Sequence, residues 1–306
     1  MIRMISGEAS VTAKICAFAR AHHSKCGKEI IYDDYYAYEL LGKEEYNNVK
    51  NKIIKILSQK CWEIPTLDTW DGFINELISP IILARMKFAE TKLEEFNTDE
   101  NEEIQYVICG AGLDSFMFRN NHKNIDVFEL DHIDTQNYKK ERIKQLNWNI
   151  NKNTKLISID FEKQNIKDVL LNSGFDPKKK SFFAILGVTY YLTLDTFAET
   201  LKSISKVAKG ESQIVFDYPD KDIVKRGIMN SRMSALEDIT SALGEEMKGG
   251  MNYRELAKKF NEVGFHISDY VTSQVIQEKY LDARYDDLKA YENINFVLAE
   301  KNILNY

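Results

Sequence analysis

The sequence predicts an α/β chain with a mostly parallel seven-stranded sheet, one antiparallel edge strand and a helical N-terminal extension. Three observations carry this expectation. Short apolar runs without breakers alternate with helical stretches from Tyr106 to Tyr218, the pattern of successive β/α units. The first run passes directly into a glycine-rich turn, Gly110-Ala111-Gly112-Leu113-Asp114-Ser115. Two further apolar runs, residues 265–270 and 294–300, follow the last unit as a closing pair, as when an antiparallel strand completes a parallel sheet. With 306 residues, the chain can bury a large core. It divides into a helical cap, residues 1–100, and a sheet-bearing core, residues 101–306, with a cover at residues 220–252.

The helical part comes first. Residues 10–23 are alanine-rich with apolar residues at helical spacing, and Ser10 or Thr12 suits the cap. Arg20 falls in the last turn of that helix, where it either complements the dipole or meets a ligand. His22 and His23 are adjacent, so their side chains diverge by about 100° and do not readily share a metal. Residues 31–42 read as an acidic cap, a tyrosine-rich helix and a stop at Gly42. Residues 47–60 form another helix, and residues 69–95 a longer one interrupted near Ser79-Pro80. Arg85 lies within the apolar segment 81–89, where a guanidinium needs a partner: a structural ion pair or a ligand.

In the sheet-bearing part, residues 106–109 form the first strand. Gly110 and Gly112 suit a tight turn that lets backbone approach a ligand, and Asp114 or Ser115 suits the next helix cap. Residues 125–131 alternate and end in Asp131. The step from Gly112 to Asp131 is close to the ~20 residues between a glycine turn and a ribose-binding carboxylate in nucleotide folds. A solvated strand-end acid is the alternative. A basic helix over residues 135–146 precedes a third strand, residues 156–161, closed by Asp160 and Phe161. An acid and an aromatic there suit adenine, through a hydrogen bond and a ring contact. The fourth strand, residues 182–186, enters Gly187-Val188-Thr189-Tyr190-Tyr191, and Thr193 caps the following helix. The fifth is residues 213–219. Residues 220–252 carry many charges and no strand pattern, and residues 254–263 form a helix stopped at Gly264. Ligands in such sheets lie outside the carboxyl ends of the strands, where Gly112, Asp131, Asp160 and Gly187 fall.

Composition narrows the function. With 41 basic and 47 acidic residues, a net charge of −6 and no long single-sign block, nothing resembles a nucleic-acid binder. No apolar stretch follows Met1-Ile2-Arg3, and no run approaches the ~20 apolar residues of a membrane span. A soluble, cytoplasmic protein is expected. Cys16, Cys26, Cys61 and Cys109 are scattered without metal spacing, so reduced thiols and no metal are expected.

These residues together resemble the leucine carboxyl methyltransferase family, in its bacterial branch of polyketide-type O-methyltransferases. The resemblance rests on Ile-Ser-Pro-Ile-Ile-Leu-Ala-Arg ending at Arg85, on residues 106–119 around Gly-Ala-Gly-Leu-Asp, and on Phe-Glu-Leu-Asp-His at 128–132. Gly187-Val-Thr-Tyr-Tyr-Leu-Thr and Lys279-Tyr-Leu-Asp-Ala-Arg-Tyr agree. It implies a class I methyltransferase sheet and S-adenosyl-L-methionine as methyl donor. By the same resemblance, Gly110, Ala111 and Gly112 lie against the cofactor, and Asp131, with Glu129, holds the ribose. Asp160 and Phe161 address adenine, and Arg85, with Arg20, pairs with the methionine carboxylate. Many members carry a glutamate where this chain has Leu186, a cofactor-side position, so the contact that carboxylate makes is absent here.

The implied activity is O-methylation of a carboxylate or hydroxyl on a small molecule. A carboxylate acceptor needs no general base. A hydroxyl acceptor benefits from one, and His132, Tyr190, His22 and His23 are the candidates. Two other classes share these features. A nicotinamide oxidoreductase uses a similar turn and acid, but Ser115 replaces the third glycine of its fingerprint. A non-catalytic protein that keeps the fold for interaction or regulation is the other.

Overall fold

Helices α1 (Val11–Cys26), α2 (Ala37–Leu41), α3 (Lys43–Gln59), α4 (Trp70–Leu77) and α5 (Ser79–Phe96) precede the sheet in the computed structural model. The first two β/α units are β1 (Ile104–Cys109), α6 (Phe116–Arg119), β2 (Ile125–Asp131) and α7 (Ile133–Gln145). Next come β3 (Thr154–Ser158), α8 (Ile166–Asn172), β4 (Lys180–Ile185), α9 (Leu194–Val207) and β5 (Ser212–Pro219). The chain then forms α10 (Lys221–Lys225), α11 (Ser231–Ala242), α12 (Tyr253–Glu262), β6 (Phe265–Val271), α13 (Ser273–Ile276) and β7 (Ile294–Lys301). The structure describes residues 9–60, 70–161, 163–225, 231–248, 250–282, 284–286 and 288–302. Met1-Ile2-Arg3, Cys61, Thr69, Ala283 and residues 226–230 and 249 of the expected cover lie outside them.

The seven strands form one sheet in the order β3-β2-β1-β4-β5-β7-β6. β1 to β5 pair in parallel, and β7 runs antiparallel to both β5 and the edge strand β6, so antiparallel pairing closes this side of the sheet. The order starts outward from β1 in both directions. The ends of β1 and β4 therefore sit side by side where the crossovers diverge, the usual place for a ligand crevice.

Alternation along the strands builds two apolar layers. Tyr106, Ile108, Val127, Phe182 and Ala184 face α5, through Leu83, Ala84 and Phe88. Val107, Cys109, Phe128, Phe183 and Phe216 face α8, α9 and α12, through Leu170, Phe197, Leu201 and Phe260. Period-two side chains are thus buried on both faces of the strands, which explains runs that read as continuously apolar. A third cluster joins α1, α3 and α4 to the turn after β1 and to α11, through Phe18, Ile53, Ile74, Leu113, Met117 and Ile239. α5 thus packs on the sheet face itself, while α1, α3 and α4 pack over its carboxyl end.

Local chemistry fixes the helix starts. Ser10 caps α1, its hydroxyl accepting from the Ala13 amide at 3.1 Å, and Thr193 caps α9. Pro80 opens α5, where a missing N–H costs nothing. The tyrosine-rich stretch yields the short α2, stopped by Gly42 at φ +86°. Its Tyr36 packs on Phe118 and Trp148. No helix of the described residues is long and apolar enough to cross a membrane.

Candidate active site

The carboxyl ends of β1, β2, β4 and β5 come together beneath α1. After β1, the Gly110 and Ala111 amides donate to the Leu130 carbonyl at 2.8 and 3.1 Å. The Gly112 amide donates to Asp131 Oδ2 at 2.5 Å. Gly110 and Gly112 take φ +74° and +54°, a region that strains any residue with a Cβ. A Cβ at Gly110 would also stand 2.7 Å from Val188, so this glycine lets the loop after β4 close against the turn.

Asp131 is half-buried at the end of β2. Its Oδ1 accepts from the His132 amide at 2.7 Å, so each oxygen has one backbone donor and geometric room for a second. Burial pushes its pKa up, while the Gly112 and His132 amides oppose the shift. Glu129 is not brought to this mouth. It is fully buried, its Oε2 is ion-paired with Lys139 and its Oε1 has no partner among the described residues. Burial raises Glu129 to about 7 against the pull of Lys139. β3 ends at Ser158, shorter than expected, and Ile159 still bonds to the Asp131 carbonyl at 2.8 Å. Asp160 and Phe161 follow directly, the Asp160 carboxylate accepting from Lys163 Nζ at 2.6 Å. Phe161 is 40% exposed and Ile133, two residues beyond Asp131, is 45% exposed. Two large apolar side chains thus stand open at the ends of adjacent strands. The sequence alone gives no sign of Ile133, because an isoleucine opening a helix looks like ordinary packing.

At the other end of the crevice Arg85, from α5, is buried against Gly187. A Cβ there would lie 2.5–2.8 Å from its guanidinium, and Gly187 adopts φ +70°. Arg85 Nη1 donates to Asp217 Oδ2 at 3.2 Å, and Nη2 to Cys16 Sγ at 3.3 Å. Among the described residues its buried Nε has no partner. Burial works against the charge of Arg85, but Asp217, Cys16 and Tyr190 together outweigh it and hold the pKa above the ordinary value. Asp217, fully buried on β5, also accepts from the Gly187 amide at 2.7 Å and the Tyr190 hydroxyl at 2.8 Å. Thr189 donates to the Asp217 carbonyl. Leu186 is half-buried and packs with the apolar layer under α5.

The remaining candidates are placed elsewhere or otherwise engaged. Arg20 is buried, with Nε on Asp34 at 2.8 Å and Nη2 on the Leu113 carbonyl at 2.6 Å. It ties α1 to the glycine turn. Asp34 also accepts from the Ser115 hydroxyl at 2.5 Å, which draws the residue before α6 into the same network. His22 bonds Tyr46 and Asp71, and burial, opposed by Asp71, lowers its pKa. His23 accepts from the Ile31 amide at 3.0 Å, and burial, aided by Arg284, lowers it to about 4. α1 crosses the turn at Ala13, whose Cβ is 3.1 Å from a Cβ built on Gly112. Its histidines lie roughly 13–15 Å further along the axis at 1.5 Å per residue. His132 caps α7, its Nδ1 accepting from the Asp134 amide. Tyr190 is buried on Asp217, and burial, with that carboxylate, raises its pKa. Among the described residues no group of acids, cysteines and histidines is placed to hold a metal.

Ser10 and Glu245 close the crevice from the cover side. The Ser10 hydroxyl donates to Glu245 Oε1 at 2.9 Å, and the Lys248 amide to the Tyr190 carbonyl at 2.9 Å. The stretch after α11 is thereby fastened both to α1 and to the loop after β4.

Known proteins resemble this chain in sequence and in fold. Residues 13–205 match the leucine carboxyl methyltransferase family. A Bacillus subtilis (strain 168) protein, YktD, provisionally named an S-adenosyl-L-methionine-dependent methyltransferase, is 33% identical over 312 residues, covering 97% of this chain and 100% of that protein. A Thermobifida fusca YX crystal structure, provisionally named a methyltransferase, superposes with a TM-score of 0.57 at 13% identity, covering 97% of each chain. That likeness concerns the fold. The matched span takes in most of α1, Arg85, the glycine turn, Asp131 and the loop after β4, and the chain belongs to the leucine carboxyl methyltransferase family, with the class I S-adenosylmethionine-dependent methyltransferase fold.

Proposed function

We propose that the protein transfers a methyl group from S-adenosyl-L-methionine to an oxygen of a small molecule, a carboxylate in preference to a hydroxyl. The observation that carries this reading is the alignment of three unlike groups along one crevice: Asp131, the Gly110-Ala111-Gly112 turn, and Arg85 with its buried, unpartnered Nε. The donor has matching parts in the same order. Asp131 would accept from the ribose hydroxyls, and the glycine turn would lie along the chain between ribose and methionine. Arg85 would take the α-carboxylate. Asp160 would address the adenine edge, with Phe161 and Ile133 flanking the ring and covering their exposed surface. Leu186 adds an apolar wall where many relatives have a glutamate. Arg20 supports the site indirectly, through the turn.

Bound there, S-adenosyl-L-methionine supplies a methyl group on a sulfonium, ready for in-line displacement. The work left to the chain is alignment and exclusion of water, which together can supply about 7–11 kcal/mol of the barrier. α1, fastened by Ser10 and Arg20, covers the crevice and serves both ends. The preference for a carboxylate follows from the bases. The Tyr190 hydroxyl donates to Asp217, His132 caps a helix, and His22 and His23 are bonded within the N-terminal helices. A carboxylate acceptor is already ionised and has no proton to lose. The motifs favour the polyketide-type O-methyltransferase branch, with a small molecule as partner.

Incubation of the protein with methyl-labelled S-adenosyl-L-methionine and a pool of small carboxylic acids and phenols tests the reading. Base-labile label in the acid fraction is expected, as for methyl esters. Absence of incorporation from either fraction, with the donor bound, would support a non-catalytic protein instead.

A further inference from the structure

Asp217 has no part in the motifs that identify the family site, yet more of the methionine end converges on it than on any other side chain there. It is fully buried. Oδ2 receives Arg85 Nη1 at 3.2 Å and the Tyr190 hydroxyl at 2.8 Å, and Oδ1 receives the Gly187 amide at 2.7 Å. Asp217 therefore joins α5, the loop after β4 and β5 through a single carboxylate.

The guanidinium is used unevenly. A structural arginine inside a protein satisfies its donors, because a buried N–H left without a partner is unfavourable. Among the described residues, Arg85 Nη1 is fixed on Asp217, Nη2 meets only the weak acceptor Cys16 Sγ, and Nε has no partner. The Nε and Nη2 donors lie on one edge of the planar fork, the edge that grips a carboxylate through two parallel bonds. Gly187 allows the plane to lie flat against the backbone, where any Cβ would strike it.

We propose that Asp217 is a positioning residue: by pinning Nη1 it directs the Nε–Nη2 edge of Arg85 to the α-carboxylate of the methyl donor, with Tyr190 and the Gly187 amide holding Asp217 in place. This rests on the function proposed above. Asp217 is enclosed and does not touch the donor. Its charge repels the ligand carboxylate at longer range, so removing that charge mixes a steric loss with an electrostatic gain. A charge-conserving change separates the two.

The test is titration calorimetry of wild type and Asp217→Glu with two ligands, S-adenosylhomocysteine and 5′-methylthioadenosine. The second keeps the adenosine and sulfur and lacks the amino acid. In Asp217→Glu the extra methylene displaces the fork while the charge stays. Affinity for S-adenosylhomocysteine is expected to fall about tenfold, and that for 5′-methylthioadenosine to change less than about twofold. Equal losses for both ligands, or no loss for either, overturn the inference. If wild type binds neither ligand, the cofactor assignment itself fails, which is a different result. Should Asp217→Glu not fold, Tyr190→Phe serves: it removes one bond holding Asp217 and leaves the charge. A selective loss of about threefold for S-adenosylhomocysteine is then expected, and equal or absent effects count against the role.

Discussion

The two ends of the crevice are built in different ways. At the β1–β2 end the parts are near in sequence: Gly112 and Asp131 are 19 positions apart and bond directly. At the β4–β5 end, Arg85 and Asp217 are separated by 132 positions, and Arg85 and Cys16 by 69. The first end is a local motif, whereas the second exists only once α1, α5, β4 and β5 are packed. On the proposed function, selectivity for the nucleoside and for the amino acid can therefore be broken separately.

The largest expected effect is at the local end. Asp131→Ala removes a charged acceptor and releases the Gly112 amide, and charge-assisted bonds of this kind contribute about 1.5–3 kcal/mol each. Calorimetry should show S-adenosylhomocysteine and 5′-methylthioadenosine both weakened by roughly 30- to 100-fold. Asp126→Ala, on the same strand beside Lys179, should change neither by more than about twofold. Equal effects from the two variants would place the ribose carboxylate elsewhere.

Next comes Arg85→Lys. A lysine keeps the charge but cannot fork, so S-adenosylhomocysteine should bind about tenfold more weakly while 5′-methylthioadenosine is spared. Parallel losses would mean that the two ends are not independent. Smaller again is Phe161→Ala, where an aromatic contact contributes about 0.5–1.5 kcal/mol, or roughly three- to tenfold, on both ligands. An unchanged affinity would remove Phe161 from the adenine site.

The last contrast concerns protons. Glu129, under the sheet end, is raised by burial to about 7 from its ordinary 4.5. The folded protein therefore holds this proton more tightly than the unfolded chain, and the contribution to stability falls as pH rises across that window. His23, in the cap, is lowered by burial to about 4 from 6.5. The unfolded chain holds its proton more tightly, so its contribution falls as pH drops from 6.5 towards 4. The two slopes oppose each other where the windows overlap. Thermal unfolding followed from pH 4.5 to 7 should show Glu129→Gln gaining a steeper loss towards acid, and His23→Asn a shallower one. Slopes unchanged from wild type would contradict both assignments.

The same contrast explains what was legible in the sequence. The strand pattern, the glycine turn and Asp131 follow from local spacing, and Thr193 and Gly264 punctuate the helices where expected. Arg85 stands out in the sequence because a guanidinium inside an apolar helix needs a partner, but nothing near it in sequence names Asp217. Arg20 and the histidine pair show the converse. Their residue types suggest chemistry, yet the course of α1 turns Arg20 towards Asp34 and leaves His22 and His23 among the N-terminal helices. Glu129 likewise shares a motif with Asp131, but it lies two residues earlier on the strand and pairs with Lys139. Residue type and spacing identify a turn, whereas long-range packing decides which charges face a ligand.

The proposed function requires this crevice to bind an adenosylmethionine-class ligand along its whole length. Its most direct test is calorimetry of the unaltered protein with S-adenosylhomocysteine and with 5′-methylthioadenosine. Binding of both, with S-adenosylhomocysteine at least about tenfold tighter because the Arg85 end adds a charge-assisted pair, is the predicted result. No binding of S-adenosylhomocysteine at high micromolar concentration, or equal affinity for the two, would contradict it.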